Sequence, residues 1–538
     1  MSTAQLFIVA FALLTFGVWQ FGITGYWRLS PVFAYKNDLL GDAHQAHLSS
    51  IRRRFGSTWT TPLVLTALCF ALTPWWLWSR IDADGFVRPI VLLSTAVVTW
   101  RAVTIDVDLA TGRTFLFERV LMALACAGVW IHPAFLVIVL HTGLTWLRSY
   151  DHHQHLPIRM MLMFLACVGA VPVLGVLGRV RQTAPVFDLT VPVLFLFLVV
   201  CASHFVVPGF GKLRLGARWY TWIRDNRIDS MPVSAYLWGW LRFLPERVVI
   251  RTVRFIRPFA PLLQALSAVI EVGSALILFD RRLCLVLLAA FAAFHLMVFL
   301  LSGILFWQFV IVEALLFAVV FRLPAELAAD LFGLQTGFLG IALLLVFPLR
   351  GKLWRPHKLS WWDTPFACRV HYEVKGRESG TWYGLYADFM CPHERTFGQS
   401  YGDFLSDEKR LNGHLGETDD RSCFDAIHAV GDDLSGISRA KENLGTSRYD
   451  RELVAKHDRY FTAFLHNFNA GCRKRVCPVW LKAPGGQLFY WGTLPRFTGQ
   501  EPIEKLIVRY REQYFDGERI HPVTDKIVRE YSPHQPGA

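Results

Sequence analysis

The chain has 538 residues, of which 53% are hydrophobic and 14% aromatic, while only 18% are charged and the net charge is +13. Soluble proteins of this length carry more charge, so a division into three or four soluble domains by length does not apply. The basic residues fall mostly between apolar runs and not in an aromatic-interleaved patch, which points to anionic lipid headgroups as partners and away from nucleic acid.

The first segment, Ala4 to Val18, is apolar, has no basic residues before it and has no small-x-small site after it. It reads as a retained first span. A helix needs about 20 apolar residues to cross a bilayer. Eleven runs come near that length, at 4–23, 60–79, 89–104, 116–131, 133–147, 158–179, 188–210, 259–279, 283–301, 304–321 and 332–349. The runs 116–131 and 133–147 are short and suit one span plus a re-entrant piece, and 89–104 is marginal. The expected fold over 1–355 is an all-α polytopic membrane bundle of about eight to eleven spans. Arg28, Lys36, Arg52, Arg53 and Arg54 mark the loop 24–58 as cytoplasmic, and Arg350, Lys352, Arg355 and Lys358 mark the flank of the last span likewise. The expected setting is a bacterial inner membrane, with the N-terminus outside and the tail in the cytoplasm.

Residues 211–257 form a basic connection. Arg247, Arg251, Arg254 and Arg257 recur every three or four residues among apolar ones, which predicts a surface-lying amphipathic helix opened by Pro245. From about 356 the composition turns polar, and 356–538 reads as a small soluble α+β domain. Arg369–Tyr372 and Thr381–Tyr386 predict a hairpin across Lys375–Gly380. The stretch 405–445 reads as polar and turn-rich, and 450–470 as helical. Pro478–Leu481 and Gln487–Trp491 predict a second hairpin, and the spacing over 502–515 predicts an amphipathic helix.

Cys69, Cys126, Cys167, Cys201 and Cys284 fall in apolar runs, as small hydrophobes do. Cys368, Cys391, Cys423, Cys472 and Cys477 lie in the tail, and an odd number argues against a disulfide framework. Cys472 and Cys477 lack a second pair, so no metal is expected.

Few residues have the context for chemistry. Lys212 ends an apolar run in His204-Phe-Val-Val-Pro-Gly-Phe-Gly-Lys212, where Pro208 breaks the helical ladder and Gly209 and Gly211 relax it. A lysine there is either a snorkelling cation or a desolvated amine able to act as a base. Glu271 and His295 stand nine residues before Asp280 and thirteen after Arg282. Helical rise puts them at depths of about 13 and about 20 Å, where an ionisable group needs a partner or a cavity. They are expected to hydrogen-bond each other, as a functional or a register-fixing pair. Glu313 is a third intramembrane acid. In Tyr150-Asp151-His152-His153-Gln154-His155 the adjacent histidines cannot all turn to one ion, so the cluster reads as a proton handler or a solvated loop. No P-loop, GxGxxG after a strand, GxSxG or kinase signature is present.

Three segments resemble the horizontally transferred transmembrane (HTTM) family and the membrane part of vitamin K-dependent γ-glutamyl carboxylase. They are Val207-Pro-Gly-Phe-Gly-Lys212-Leu213 with Trp219, Ile270-Glu271 followed by an apolar run to Asp280-Arg281, and Phe294-His295 followed by Ser302-Gly303-Ile304-Leu305-Phe306. Weaker echoes are the histidine cluster and Ser360-Trp-Trp-Asp363. The likeness covers roughly 20–350 and part of 360–390, and the tail beyond about 390 lies outside it. It implies Lys212 as the base that deprotonates reduced vitamin K or another quinol, with O2 and CO2 as co-substrates and a protein or peptide glutamate as acceptor. It further implies His153 as an oxyanion stabiliser, with Glu271, His295, His204 and His155 shaping the pocket. Two other readings stand beside it. One is a proton-coupled transporter or channel using Glu271, His295 and Glu313, although paired, broken repeats are lacking. The other is a membrane scaffold whose cytoplasmic tail binds a partner.

Overall fold

The computed structural model describes residues 1–21, 60–72, 77–143, 155–180, 188–354, 356–385, 387–390, 404–431, 433–472 and 494–533. The helices up to the tail are α1 (Thr3–Phe21), α2 (Thr60–Leu72), α3 (Leu77–Ile81), α4 (Arg88–Val103), α5 (Leu116–Val129), α6 (Leu136–His141), α7 (His155–Val180), α8 (Thr190–Leu213), α9 (Thr221–Asp225), α10 (Met231–Leu237), α11 (Glu246–Ile256), α12 (Ala260–Gly273), α13 (Arg281–Ser302), α14 (Trp307–Arg322), α15 (Ala325–Leu331) and α16 (Leu334–Val346). Each of the eleven apolar runs contains a helix, and the chain is mostly helical. Among the described residues, four helical stretches are long and apolar enough to cross a membrane: His155–Gly175, Thr190–Leu213, Glu246–Leu276 and Arg281–Ser302. A fifth arises if α15 and the stretch Leu334–Arg350, bent by 45°, are one broken span.

Helix α8 is the axis of this assembly. Every residue from Thr190 to Ser203 is buried. It packs against α7 on one side and α12 on the other, while α13 and α14 pair as antiparallel neighbours. The outward faces are apolar: Val269 of α12 is 67% exposed, Val286 of α13 64% and Phe338 of α16 62%. The short pair 116–131 and 133–147 is a hairpin of α5 and α6, closed where the Phe135 ring fills the space beside Gly128.

The amphipathic helix predicted after Pro245 is α11. Its N-cap is Pro245, its buried stripe is Val249, Val253 and Ile256, and Arg247, Arg251 and Arg254 face outward. Run 259–279 is not one straight helix. It tightens to a 3-10 turn at Ser274–Leu276, so depth counted at a uniform α-helical rise does not fix where Glu271 sits.

The tail holds a four-stranded antiparallel sheet in the order β5-β4-β7-β8, formed by β4 (Phe366–Gly376), β5 (Trp382–Gly384), β7 (Ile503–Phe515) and β8 (Ile520–Tyr531). Two-residue ladders pair β1 (Val107–Asp108) with β2 (Arg113–Thr114), and β3 (Trp362–Asp363) with β6 (Glu417–Thr418). The hairpin predicted over 369–386 is β4 and β5, with Glu373 opposite Gly384. The helix predicted over 450–470 is α19 (Arg451–Asn469), capped by Asp450, while α17 (Arg421–His428) and α18 (Ser435–Leu444) lie in the stretch read as turns. The second predicted hairpin lies outside the described residues.

One assignment is corrected. Residues 502–515 form strand β7, not a helix. Ile503, Leu506, Ile507, Tyr510 and Tyr514 also match helical spacing. The true alternation, with Val508, Tyr510, Glu512 and Tyr514 buried, is disguised by an acid at a core position. The tail packs on the helical part through three groups of contacts, one of which sets Ala367, Leu415 and Phe515 against Val233, Leu237, Trp240 and Leu241. Val107 and Leu109 enter its core, and Trp222 and Trp362 cluster with Phe424.

Candidate active site

Lys212 lies in the last turn of α8, where the helix dipole favours a cation. The glycines before it set the spacing. A Cβ on Gly209 would stand 2.9 Å from the Glu271 Cβ and 3.0 Å from the Val272 backbone nitrogen. Glycine therefore lets α8 and α12 approach at this level. A Cβ on Gly211 would stand 2.7 Å from Ser360 Oγ, at the start of the tail.

Across that contact α12 presents a polar stripe. Gln264, Ser267 and Glu271 are buried at spacings of three and four, and Ser274 continues the stripe in the turn that follows. Lys212 Nζ donates to Glu271 Oε1 at 2.6 Å and to Ser267 Oγ at 3.1 Å. Lys212 is 9% exposed and Glu271 3%. The rings of Trp222 and Phe294 lie 5.0 and 5.9 Å from Nζ and add cation–π attraction. Glu271 Oε2 is buried and has no hydrogen-bond partner among the described residues. Removing two charges from water costs several kcal/mol per ion, and their attraction repays it only when the remaining lone pairs are satisfied. Here one oxygen is left open, which is a standing cost that an incoming donor would remove.

The bond between His295 and Glu271 expected from their depths is not formed. His295 Nδ1 lies 3.1 Å from Glu313 Oε2 on the neighbouring helix α14, because α13 and α14 pair face to face. Glu313 Oε1 and both amide atoms of Gln308 are also buried without hydrogen-bond partners. The His204 ring, on α8, is 5.1 Å from Phe309, which is itself 5.1 Å from His295. His204 Nε2 accepts from Arg159 Nη1 of α7 at 2.9 Å, so that nitrogen carries no proton. His155, at the start of α7, is buried and stacks on His357 with ring centroids 5.3 Å apart. The structure thus brings Lys212 to Glu271, His295 to Glu313, and His204 beside them. His153 lies outside the described residues.

Several contributors carried no motif. Ser267, Gln264 and Trp222 are recognisable only once α12 is seen to bury its polar stripe. Arg159 was visible as a lone cation inside an apolar run. The tail adds Asp363. Its carboxylate accepts from Asn226 Nδ2 at 2.7 Å and from Trp361 Nε1 at 3.0 Å, and Trp222 Nε1 donates to the Trp361 carbonyl at 2.8 Å. Burial pushes the Asp363 carboxyl up to about 7, against the lowering effects of Asn226, Trp361 and the Lys212 charge. Among the described residues, no three His, Cys, Asp or Glu side chains are grouped to hold a metal ion.

No family model, curated protein or solved structure matches the chain.

Proposed function

We propose that the chain is a multi-pass integral membrane enzyme of the HTTM, carboxylase-like kind, with Lys212 as the base toward a lipid-soluble quinol. The membrane setting is supported by the contrast between apolar outward faces and charged interior groups, which in water would leave large exposed apolar patches. The observation that carries the chemistry is the buried Lys212–Glu271 contact with an open Oε2, set between aromatic rings.

Proton transfer from Nζ to Oε1 across that contact leaves an uncharged amine, the form able to take a proton. A quinol hydroxyl suits the site because it donates the hydrogen bond that Oε2 lacks: as its proton passes to Oε2, the proton on Oε1 returns to Nζ, so the lysine is the net base, and the quinol ring is compatible with Trp222 and Phe294. Addition of O2 to the deprotonated substrate, and use of CO2 and a peptide glutamate, extend this reading by resemblance alone. Its test is oxygen uptake driven by a reduced naphthoquinone in proteoliposomes. Lys212→Ala should abolish uptake while the protein keeps its helical circular dichroism. Unchanged quinol-dependent uptake in that variant would remove the mechanism.

The open carboxylate oxygens on both Glu271 and Glu313 favour a second reading, a proton path through Glu271, His295 and Glu313. It differs in its outcome. It requires flux driven by a pH gradient without quinol, and it tolerates Lys212→Arg.

A further inference from the structure

A cavity of about 330 Å³ lies between the segment that follows α10 and one face of the tail sheet, lined by none of the residues of the Lys212 site. Arg242 forms one wall, and Arg369, His371, Arg511, Glu512 and Asp525 contribute to the other. The sheet register concentrates positive charge there. Arg369 of β4 stands opposite Arg511 of β7, and His371 stands opposite Arg509. Residues two apart share a strand face, so four basic groups converge on one surface. Like charges placed directly opposite each other destabilise a sheet.

The carboxylates nearby are already engaged. Asp525 accepts from Arg511 Nε and Arg509 Nη1, each at 2.9 Å. Buried Glu512 accepts from Lys441 Nζ at 2.8 Å and from Thr524 Oγ1 at 2.7 Å. Glu373 lies 3.4 Å from Arg509 and 3.9 Å from Arg511. On this face, among the described residues, four cations (Arg242, Arg369, Arg509 and Arg511) stand with two carboxylates (Glu373 and Asp525), while on the opposite face Lys441 pairs with both Glu512 and Glu408, and Glu408 also takes Lys526. Arg242 makes no ion pair with a carboxylate among the described residues. It rests on the Tyr236 ring, 3.9 Å from its centre. Gly239, at φ +91°, leaves the room that the Arg369 guanidinium occupies. Burial and the surrounding arginines hold the His371 imidazole well below its ordinary range, so it serves as a neutral hydrogen-bonding group.

We infer that this cavity binds a phosphate monoester. A doubly charged tetrahedral anion balances the excess of two positive charges, and guanidinium forks match phosphate oxygens in geometry. A volume of about 330 Å³ is at the small end for ligand sites, which suits a phosphate with a small body. The donor has two sources, a soluble phosphomonoester or the headgroup of phosphatidic acid. Helix α11, with Arg247, Arg251, Arg254 and Phe255 exposed, begins four residues after Arg242 and would bring the cavity close to a lipid surface.

The test uses the full-length protein. In neutral detergent it is titrated with glycerol 3-phosphate and with inorganic phosphate at constant ionic strength. In nanodiscs with and without phosphatidic acid, retained lipid is read by native mass spectrometry. Binding with Kd below about 1 mM in the soluble arm, or selective retention of phosphatidic acid in the lipid arm, is expected and identifies the source. Arg242→Gln and Arg369→Gln should each weaken that binding tenfold or more, with melting temperatures in phosphate-free buffer showing that they fold. Should either fail to fold, Arg242→Lys keeps the charge, loses the fork and should still weaken binding. Absence of binding in both arms, or wild-type binding by the folded variants, overturns the inference.

Discussion

Among the described residues two buried carboxylates each pair with a lysine, and the two pairs are built differently. In the tail, Glu512 is saturated: Lys441 reaches both oxygens at 2.8 and 3.0 Å, and Thr524 and Tyr510 also donate to it. In the helical part, Glu271 has Lys212 on one oxygen and, among the described residues, no hydrogen-bond partner on the other. A saturated buried carboxylate holds a sheet together. One with an open lone pair, beside a lysine and two aromatic rings, is poised to receive a donor. On the proposed function, the contrast separates a structural pair from a reactive one by counting hydrogen bonds, where burial and charge alone do not.

Removing the lysine of the open pair is the most severe way to break the comparison. Lys212→Ala should lower quinol-dependent turnover by about 10²- to 10⁴-fold, the span expected for loss of a general base. In the saturated pair the damage is to stability. Glu512→Gln should destabilise the tail by about 3 kcal/mol, read as a loss of melting temperature, because Lys441, Thr524 and Tyr510 lose a charged acceptor while Lys441 keeps Glu408.

Asp363 gives a pH-dependent link between the two regions. Its folded pKa of about 7 lies above the ordinary 3.8, so the folded state holds the proton longer than the unfolded state. Stability from this group is full below about 4 and is lost as pH rises to about 7. The total is at most ~4 kcal/mol, at about 1.4 kcal/mol per unit. The melting temperature of Asp363→Asn relative to wild type should therefore rise from pH 5 to pH 8, and a flat difference would show that the group is not perturbed. The smallest effect is expected for Gly209→Ala. Its Cβ would press on Glu271 and Val272 and force α8 and α12 apart, costing about 1–3 kcal/mol in thermal unfolding.

Much of this was legible in the chain. The apolar runs mark the helices, Pro245 with its arginine spacing marks α11, and the hairpin of β4 and β5 follows from aromatic and alternating residues around a polar turn. The site was legible in parts. Pro208-Gly209-Phe210-Gly211 flagged Lys212, and Glu271 and His295 stood out as ionisable groups in apolar runs. Their partners did not follow, because sequence gives depth along a helix and not rotation about it. Depth put Glu271 with His295, whereas rotation puts them with Lys212 and Glu313. Ser267 and Gln264 are small signals until the facing helix is known. Strand β7 was misread because the buried acid Glu512 interrupts an otherwise apolar alternation.

The central claim is that Lys212 accepts a proton from a hydroxyl-bearing substrate, and Lys212→Arg tests it most directly. Arginine keeps the positive charge against Glu271 but cannot supply an uncharged base. With the variant and wild type reconstituted side by side, oxidation of a reduced naphthoquinone should collapse in Lys212→Arg while the melting temperature stays close to wild type. Wild-type oxidation by the folded variant would contradict the account.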